Sequence, residues 1–142
     1  MIHEKSTAVT MRSEFYLAVA VAVLMALGGS AFATTGNAAR GKAAFAAKCA
    51  SCHQGGLGAK PFVGPELNGI VGRDAASVAN YTKYSDGLKK LRESGFVWTD
   101  ENLDKWIADP KAILPASPMA VAFPGIPDAN ERADIIAYLK TQ

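Results

Sequence analysis

Two cysteines and a histidine stand within five consecutive residues, Cys49-Ala50-Ser51-Cys52-His53. Two thiols separated by two residues can reach the two vinyl groups on one edge of a haem. The histidine that follows then lies under the iron, with a ring nitrogen free to bind it. This C-x-x-C-H spacing is the attachment signature of c-type haem. It predicts one covalently bound haem c, with Cys49 and Cys52 as thioethers and His53 as an axial ligand.

Three other uses of the cysteines compete with this interpretation. A thioredoxin-like redox pair needs a strand before it and a helix after it, whereas residues 40–48 have a helical pattern and residues 54–58 form a Gly-rich loop. A structural disulfide would use the same two thiols. Zinc needs four ligands, and only the two cysteines and one histidine are available here. Haem attachment fits the spacing best.

The first 33 residues have the pattern of a secretory signal peptide. Phe15 to Leu27 form an uncharged apolar run of 13 residues, with Lys5 and Arg12 before it and Ala31-Phe32-Ala33 after it. Cleavage after Ala33 would leave residues 34–142 as the haem domain. The alternative is an uncleaved membrane anchor, although a span needs about 20 apolar residues. In both cases we expect the haem domain in the periplasm.

The composition fits one small domain and gives no sign of a nucleic-acid partner. The 142 residues are 49% hydrophobic and carry a net charge of only +2, so nothing suggests nucleic acid as a partner. The roughly 109 residues left after cleavage build a modest core, which a haem would enlarge. We expect a monomer that contacts the membrane only if the N-terminal segment is retained.

Local patterns predict four helices. The first covers residues 37–50, where Gly41 suggests close approach by another helix. A short basic helix ends the segment 75–94. The third begins at the N-cap Thr99 and stops before Pro110, with Leu103, Trp106 and Ile107 on its apolar face. The last begins at Asp128, with Glu131 as its capping-box partner and Ile135, Ile136 and Leu139 on its buried face. Residues 111–125 contain three prolines and are predicted to form an extended loop.

Elimination identifies the candidate for the second axial ligand. Outside residues 1–33, His53 is the only histidine and Met119 the only methionine. Met119 lies in the proline-bordered loop, which suits a weak ligand that the chain must hold in place. A His/Met pair fills both axial positions and raises the reduction potential, because thioether sulfur favours ferrous iron. The alternative is that Met119 fills the core and a lysine or water binds the iron.

These residues make the chain similar to class I cytochromes c. The resemblance runs from about Gly41 to Lys140. Besides the cysteine motif it includes Gly64-Pro65-Glu66-Leu67-Asn68-Gly69, Trp98-Thr99-Asp100-Glu101-Asn102-Leu103, Asp109-Pro110-Lys111 and Glu131 to Leu139. It implies an all-α fold whose N- and C-terminal helices cross near Gly41 and Tyr138, with loops wrapped round one haem.

The resemblance also implies roles for residues of the haem pocket. The carbonyl of Pro65 would accept a hydrogen bond from His53, which fixes the histidine tautomer and raises its basicity. Arg73, Tyr84 and Trp98 would help to hold the buried haem propionates.

Some features of the chain are particular to the surroundings of the axial methionine or depart from the family pattern. Ser117 stands where the family keeps a hydroxyl near that methionine. Trp106 stands where the family commonly has tyrosine, and its indole retains one hydrogen-bond donor. Met119 and Phe123 are four residues apart, which implies two extra residues beside the haem edge. About three further residues are inserted between Tyr84 and Trp98.

By resemblance, the chain is expected to be a periplasmic one-electron carrier. It would shuttle electrons in respiration or photosynthesis, between a cytochrome bc-type donor and a terminal oxidase, photosynthetic reaction centre or periplasmic reductase. Surface lysines would steer it towards acidic partners; these are Lys42, Lys48, Lys60, Lys89, Lys90 and Lys111. One alternative is a peroxidase-like haem enzyme or sensor with an opening sixth site, although residues 34–142 contain no second histidine for distal acid–base chemistry. Another is a membrane-anchored cytochrome subunit.

Overall fold

The computed structural model describes residues 35–142, which form six helices and no strands. The predicted signal peptide, residues 1–33, lies outside them. The helices are α1 (Ala38–Lys48), α2 (Asp86–Glu93), α3 (Asp100–Ala108), α4 (Pro110–Ile113), α5 (Pro118–Ala122) and α6 (Ala129–Leu139). One isolated antiparallel bridge joins Asp74 to Val97. Within residues 35–142, no helix is long and apolar enough to cross a membrane.

Helices α1 and α6 make the most extensive helix–helix contact. Gly41 of α1 is buried there, and a Cβ at this position would lie 1.9 Å from the carbonyl oxygen of Asp134 on α6. Only a residue without a side chain allows the two backbones to approach so closely. Phe45 packs on Tyr138 at the same crossing, with ring centroids 5.3 Å apart. The interpretation of Gly41 as a helix contact is therefore confirmed.

A buried carboxylate ties the two helices together at this crossing. Asp134 accepts hydrogen bonds from Nε and an Nη of Arg40 at 2.6 Å and 2.9 Å, and from the backbone N–H of Asn37 at 2.6 Å. The Arg40 guanidinium, followed by the Asn37 N–H, holds the pKa of Asp134 below its usual range. Asn37 also caps α1 by accepting from the Arg40 N–H, so the cap and the crossing share residues.

Two of the predicted helix starts can be compared with the caps in the structure. The Thr99 hydroxyl accepts from the Asn102 N–H at 3.2 Å, as expected of the N-cap of α3. The capping box predicted at the start of α6 is wrong. Asp128 does cap the helix, but the Glu131 carboxylate lies 3.6 Å from Nζ of Lys48 on α1. The ion pair between Glu131 and Lys48, across the crossing of α1 and α6, has replaced the local capping-box contact.

The extended loop predicted for residues 111–125 is also wrong, because this stretch contains most of α4 and all of α5. Each short helix begins with a proline, Pro110 or Pro118, at a position where the missing N–H costs no hydrogen bond. The preceding side chain caps it in both cases. Asp109 accepts from the Lys111 N–H, and Ser117 accepts from the Ala120 N–H. Met119 therefore lies on a helix rather than in a loop.

The core gathers apolar side chains from α1, α3, α6 and the loops between them. The predicted apolar faces of α3 and α6 are buried, as expected. The buried core residues are Phe45, Ile70, Ala75, Trp98, Leu103, Trp106, Ile107, Ile126, Ile135, Ile136 and Leu139. Trp98 stands edge-to-face against both Phe96 and Trp106, with centroid distances of 5.0 Å and 5.3 Å. One side of this core borders a cavity.

Candidate functional site

A cavity of about 340 Å³ lies among the residues that the sequence singled out. Its walls include Cys49, Cys52, His53 and Met119, together with apolar side chains from α1, α3 and α6. The volume falls within the range of small-molecule and cofactor pockets, which are mostly apolar with a few convergent polar groups. The residues present therefore fit a large, mainly apolar cofactor that has two points of covalent attachment and a metal to be bound.

The cysteine motif forms a turn directly after α1. The N–H groups of Cys52 and His53 both donate to the carbonyl of Cys49, at 3.0 Å and 2.9 Å. This turn brings both sulfurs and the imidazole to the wall of the cavity. The thiols are free rather than joined in a disulfide. Burial raises the pKa of Cys49 to about 11, although the positive charge of Lys48 opposes the shift.

His53 is oriented by the backbone of the loop that faces it. Its Nδ1 donates to the carbonyl oxygen of Pro65 at 2.8 Å, which leaves Nε2 unprotonated and available to a metal. Burial lowers the pKa of His53, and the hydrogen bond to Pro65 partly offsets this shift. The approach depends on Gly64, since a Cβ there would lie 2.3 Å from Cε1 of the ring.

Met119 is held by a tryptophan from another helix. The indole Nε1 of Trp106, on α3, donates to Sδ of Met119 at 3.0 Å, and both residues line the cavity. Ser117 differs from the expectation, because it is fully buried and does not line the cavity. Its hydroxyl instead caps α5, the helix that carries Met119, by accepting from the Ala120 N–H.

The three side chains expected at the propionates also line the cavity. Trp98 is buried, and Tyr84 is half-buried. The Tyr84 hydroxyl accepts from the Val78 N–H at 3.2 Å, and burial is the main cause of its raised pKa. The third residue, Arg73, makes its hydrogen bonds to the loop 66–68, which includes the carboxylate of Glu66 at 3.2 Å.

Comparison with known proteins agrees with this geometry. A family model described as cytochrome c matches residues 38–142. The chain is 44% identical over 104 residues to cytochrome c2 of Agrobacterium tumefaciens (strain II Chrys), covering 73% of this chain and 90% of that one. It is 47% identical over 94 residues to cytochrome c-550 of Ancylobacter novellus, with coverage of 66% and 85%. Cytochrome cH from Methylobacterium extorquens superposes with a TM-score of 0.65 at 46% identity, over 75% of this chain and 100% of the other.

The chain belongs to the cytochrome c family. The predictions of a class I cytochrome c, of the all-α cytochrome c fold and of covalently attached haem c are confirmed. This cytochrome is an electron-transfer protein and not an enzyme, which argues against the peroxidase-like alternative. When bound, the haem supplies an iron that is reduced and oxidised by one electron.

Among the residues at or beside the site whose roles the sequence did not indicate are Lys83 and Glu66. Lys83 lines the cavity of this cytochrome, but it stands in an irregular segment with no pattern to indicate its direction. Glu66 belongs to the Pro-Glu-Leu-Asn-Gly segment that carries the resemblance, yet nothing in the sequence identified Arg73 as its ion-pair partner. A spacing of seven residues in the irregular segment 64–73 defines no common face, so only the folded loop brings the two charges together.

Proposed function

We propose that this cytochrome c is a periplasmic carrier of single electrons, with His53 and Met119 as the two axial ligands of its haem iron. Cys49 and Cys52 would form the two thioether bonds. The observation that supports this most directly is that all four side chains line one cavity. With both axial positions supplied by the chain, an electron is exchanged with little rearrangement, and oxygen or peroxide has no open coordination position.

The surroundings of both ligands support the proposal. The Pro65 carbonyl keeps the proton of His53 on Nδ1, so that Nε2 is the nitrogen available to iron. The helix α5 fixes the backbone of Met119, and the Trp106 indole fixes its sulfur. A thioether is a weak ligand. A fold that already restrains the methionine side chain reduces the entropy lost when its sulfur binds iron.

We further propose that Arg73, Tyr84 and Trp98 hold the haem propionates. All three line the cavity. Arg73 supplies a positive charge with several donors, Tyr84 a hydroxyl and Trp98 an indole N–H, which are the groups that bind carboxylates. Their position among part-buried residues strengthens such contacts, because the effective dielectric constant is lower there than in water.

The proposed partners are a cytochrome bc-type donor and an oxidase, reaction centre or periplasmic reductase as acceptor. The six lysines predicted to steer the encounter are all exposed. Lys48 lines the cavity and stands 3.6 Å from Glu131, and Lys89 pairs with Asp86 at 3.1 Å. Oxidation by an acidic partner should therefore slow as ionic strength rises. A rate that does not change with salt would contradict steering by these lysines.

The ligation is tested by the visible spectrum of the oxidised protein. A Met–Fe(III) bond gives a weak near-red band, which we expect in the wild type and expect to be lost in Met119→Ala. The matched control is Val121→Ala, which lies on the same short helix, is 80% exposed and does not line the cavity. A wild type without the band, or a Met119→Ala variant that keeps it, would refute the ligand assignment.

Export is tested separately by the mass of the protein purified from the periplasm. We propose that residues 1–33 are a signal peptide, so the mature chain should begin at Thr34 and carry the added mass of one haem. A membrane-bound protein that retains these residues would instead support the anchored form.

A further inference from the structure

The guanidinium of Arg73 is already committed to one loop of the protein. One Nη donates to Oε1 of Glu66 at 3.2 Å and to the carbonyl of Asn68 at 2.7 Å, and the other donates to the carbonyl of Glu66 at 2.9 Å. Arg73 lines the cavity, whereas Glu66 does not. The positive charge of this cavity-lining residue is therefore paired with a carboxylate from the protein.

The Glu66 carboxylate is held at both oxygens. Its second oxygen accepts from the Asn68 N–H at 2.7 Å. The side chains of Glu66 and Arg73 are only 17% and 20% exposed, so water and salt screen this pair less than they screen a surface ion pair. The carboxylate is thus a fixed negative charge at a defined place beside the cavity.

The charges of this pair act on the cavity itself. Burial is the main cause of the raised pKa of Tyr84, but the charge of Arg73 lowers that pKa and the charge of Glu66 raises it. Tyr84 lines the cavity. Both charges therefore reach a group on the cavity wall, and they act there with opposite signs.

Glu66 also adjoins the contact that orients His53. Glu66 directly follows Pro65, whose carbonyl accepts from His53 at 2.8 Å. The next residues are tied to the segment after the histidine, since the Leu67 N–H donates to the Gln54 carbonyl at 2.9 Å. The ion pair with Arg73 thus fastens the loop that carries the histidine's hydrogen-bond acceptor.

We propose that Glu66 is a positioning residue that lowers the reduction potential of this cytochrome, by partly neutralising Arg73 and by fixing the loop that orients His53. The inference rests on the proposed function, in which His53 binds the iron. Reduction removes one positive charge from the iron site, so a nearby negative charge favours the oxidised form. Glu66 opposes the effect of Arg73, which favours the reduced form.

Glu66→Gln is the primary test, because the amide keeps the shape of the side chain and an acceptor for the Asn68 N–H but removes the charge. A unit charge about 10 Å away, at an effective dielectric constant of about 20, changes such an equilibrium by roughly tenfold. We expect the ratio of ferrous to ferric protein to rise by about tenfold at a fixed applied potential, which is a positive shift of about 59 mV. The shift should persist at high salt.

Two controls separate the charge from other effects. Glu93→Gln removes the same charge from an exposed position of α2, and we expect its potential to match that of the wild type at high salt. Glu66→Asp keeps the charge on a shorter side chain, so its potential should stay closer to the wild type than that of Glu66→Gln. It also provides a charged comparison if the glutamine variant does not fold.

The outcomes distinguish this inference from the proposed function. If the near-red band is present but Glu66→Gln has the potential of the wild type, the role of Glu66 is refuted and the ligation stands. Equal shifts in Glu66→Gln and Glu66→Asp would also refute it, since the charge would then have no effect of its own. If the wild type lacks the near-red band, it is the ligand assignment of the proposed function that is refuted.

Discussion

The hydrogen bond from Trp106 to Met119 gives a prediction whose size can be bounded. The indole Nε1 lies 3.0 Å from Sδ, and the sulfur that it contacts is the proposed axial ligand. A donor directed at the sulfur withdraws electron density from it and weakens its donation to ferric iron. The hydrogen bond should therefore favour the ferrous state, and Trp106→Phe should lower the reduction potential.

The magnitude follows from the strength of such a bond. A neutral hydrogen bond contributes about 0.5–1.5 kcal/mol net, and thioether sulfur is a weak acceptor, so about 0.5–1 kcal/mol applies here. At about 59 mV for each tenfold change in a one-electron equilibrium, this corresponds to a fall of about 20–40 mV. That range is an upper limit, because a hydrogen bond of equal strength in both oxidation states would not shift the reduction potential.

Equilibrium redox titration of the purified holoprotein measures the shift, and the near-red band reports whether Met119 remains bound. Trp106 is buried and packs against Trp98, so Trp106→Phe also leaves a void. The matched control is Trp106→Tyr, which leaves nearly the same void but carries a hydroxyl donor. Its potential should lie between that of Trp106→Phe and that of the wild type.

Two results would refute this reasoning. One is a Trp106→Phe variant whose potential equals or exceeds that of the wild type while its near-red band is intact. The other is a Trp106→Tyr variant indistinguishable from Trp106→Phe. That result would mean that the size of the side chain, rather than its hydrogen-bond donor, controls the potential.

Two further predictions concern the crossing of α1 and α6. Gly41→Ala would place a methyl group 1.9 Å from the backbone oxygen of Asp134. The free energy of unfolding measured in urea should therefore fall by about 3 kcal/mol. The exposed control Lys42→Ala should change this free energy little. The pKa of Asp134 is lowered in the folded state, first by Arg40 and then by the Asn37 N–H. The stability that the ionised carboxylate gives to the folded protein is therefore complete above the unfolded pKa of about 3.9. It is lost as the pH falls through the lower folded pKa. Asp134→Asn should therefore unfold at a lower temperature than the wild type near neutral pH, and the two melting temperatures should converge in acid. A difference that stays constant into acid would contradict the role of the carboxylate.

The sequence alone predicted the features that are encoded within a few residues. The spacing of Cys49, Cys52 and His53 matches one rigid cofactor, so this motif identified haem c without any knowledge of the fold. The N-cap Thr99 and the apolar faces of α3 and α6 were equally local and were predicted correctly. Met119 was selected by elimination, which needs only the composition of the chain.

The helices α4 and α5 show where local signals were present but outweighed. Asp109-Pro110 and Ser117-Pro118 each combine an N-cap residue with a proline at the first helical position, a pattern that starts helices. The three prolines and the absence of a helical period favoured a loop instead. Helices of four and five residues are too short to show a period, so the caps were the only usable signal.

Contacts between distant residues were decided by the tertiary structure. Glu131 is placed to complete a capping box by its sequence position, but the crossing of α1 and α6 brings Lys48 within reach and the carboxylate lies there instead. The Trp106 indole reaches Met119 because α3 and α5 pack on the same cavity. Glu66 meets Arg73 because the loop of residues 64–73 folds back on itself. The sequence thus determined which cofactor the chain carries and predicts Cys49 and Cys52 as its attachment points, since covalent spacing is local. The fold decided which charges and donors surround the cofactor, since those depend on packing between segments far apart in the chain.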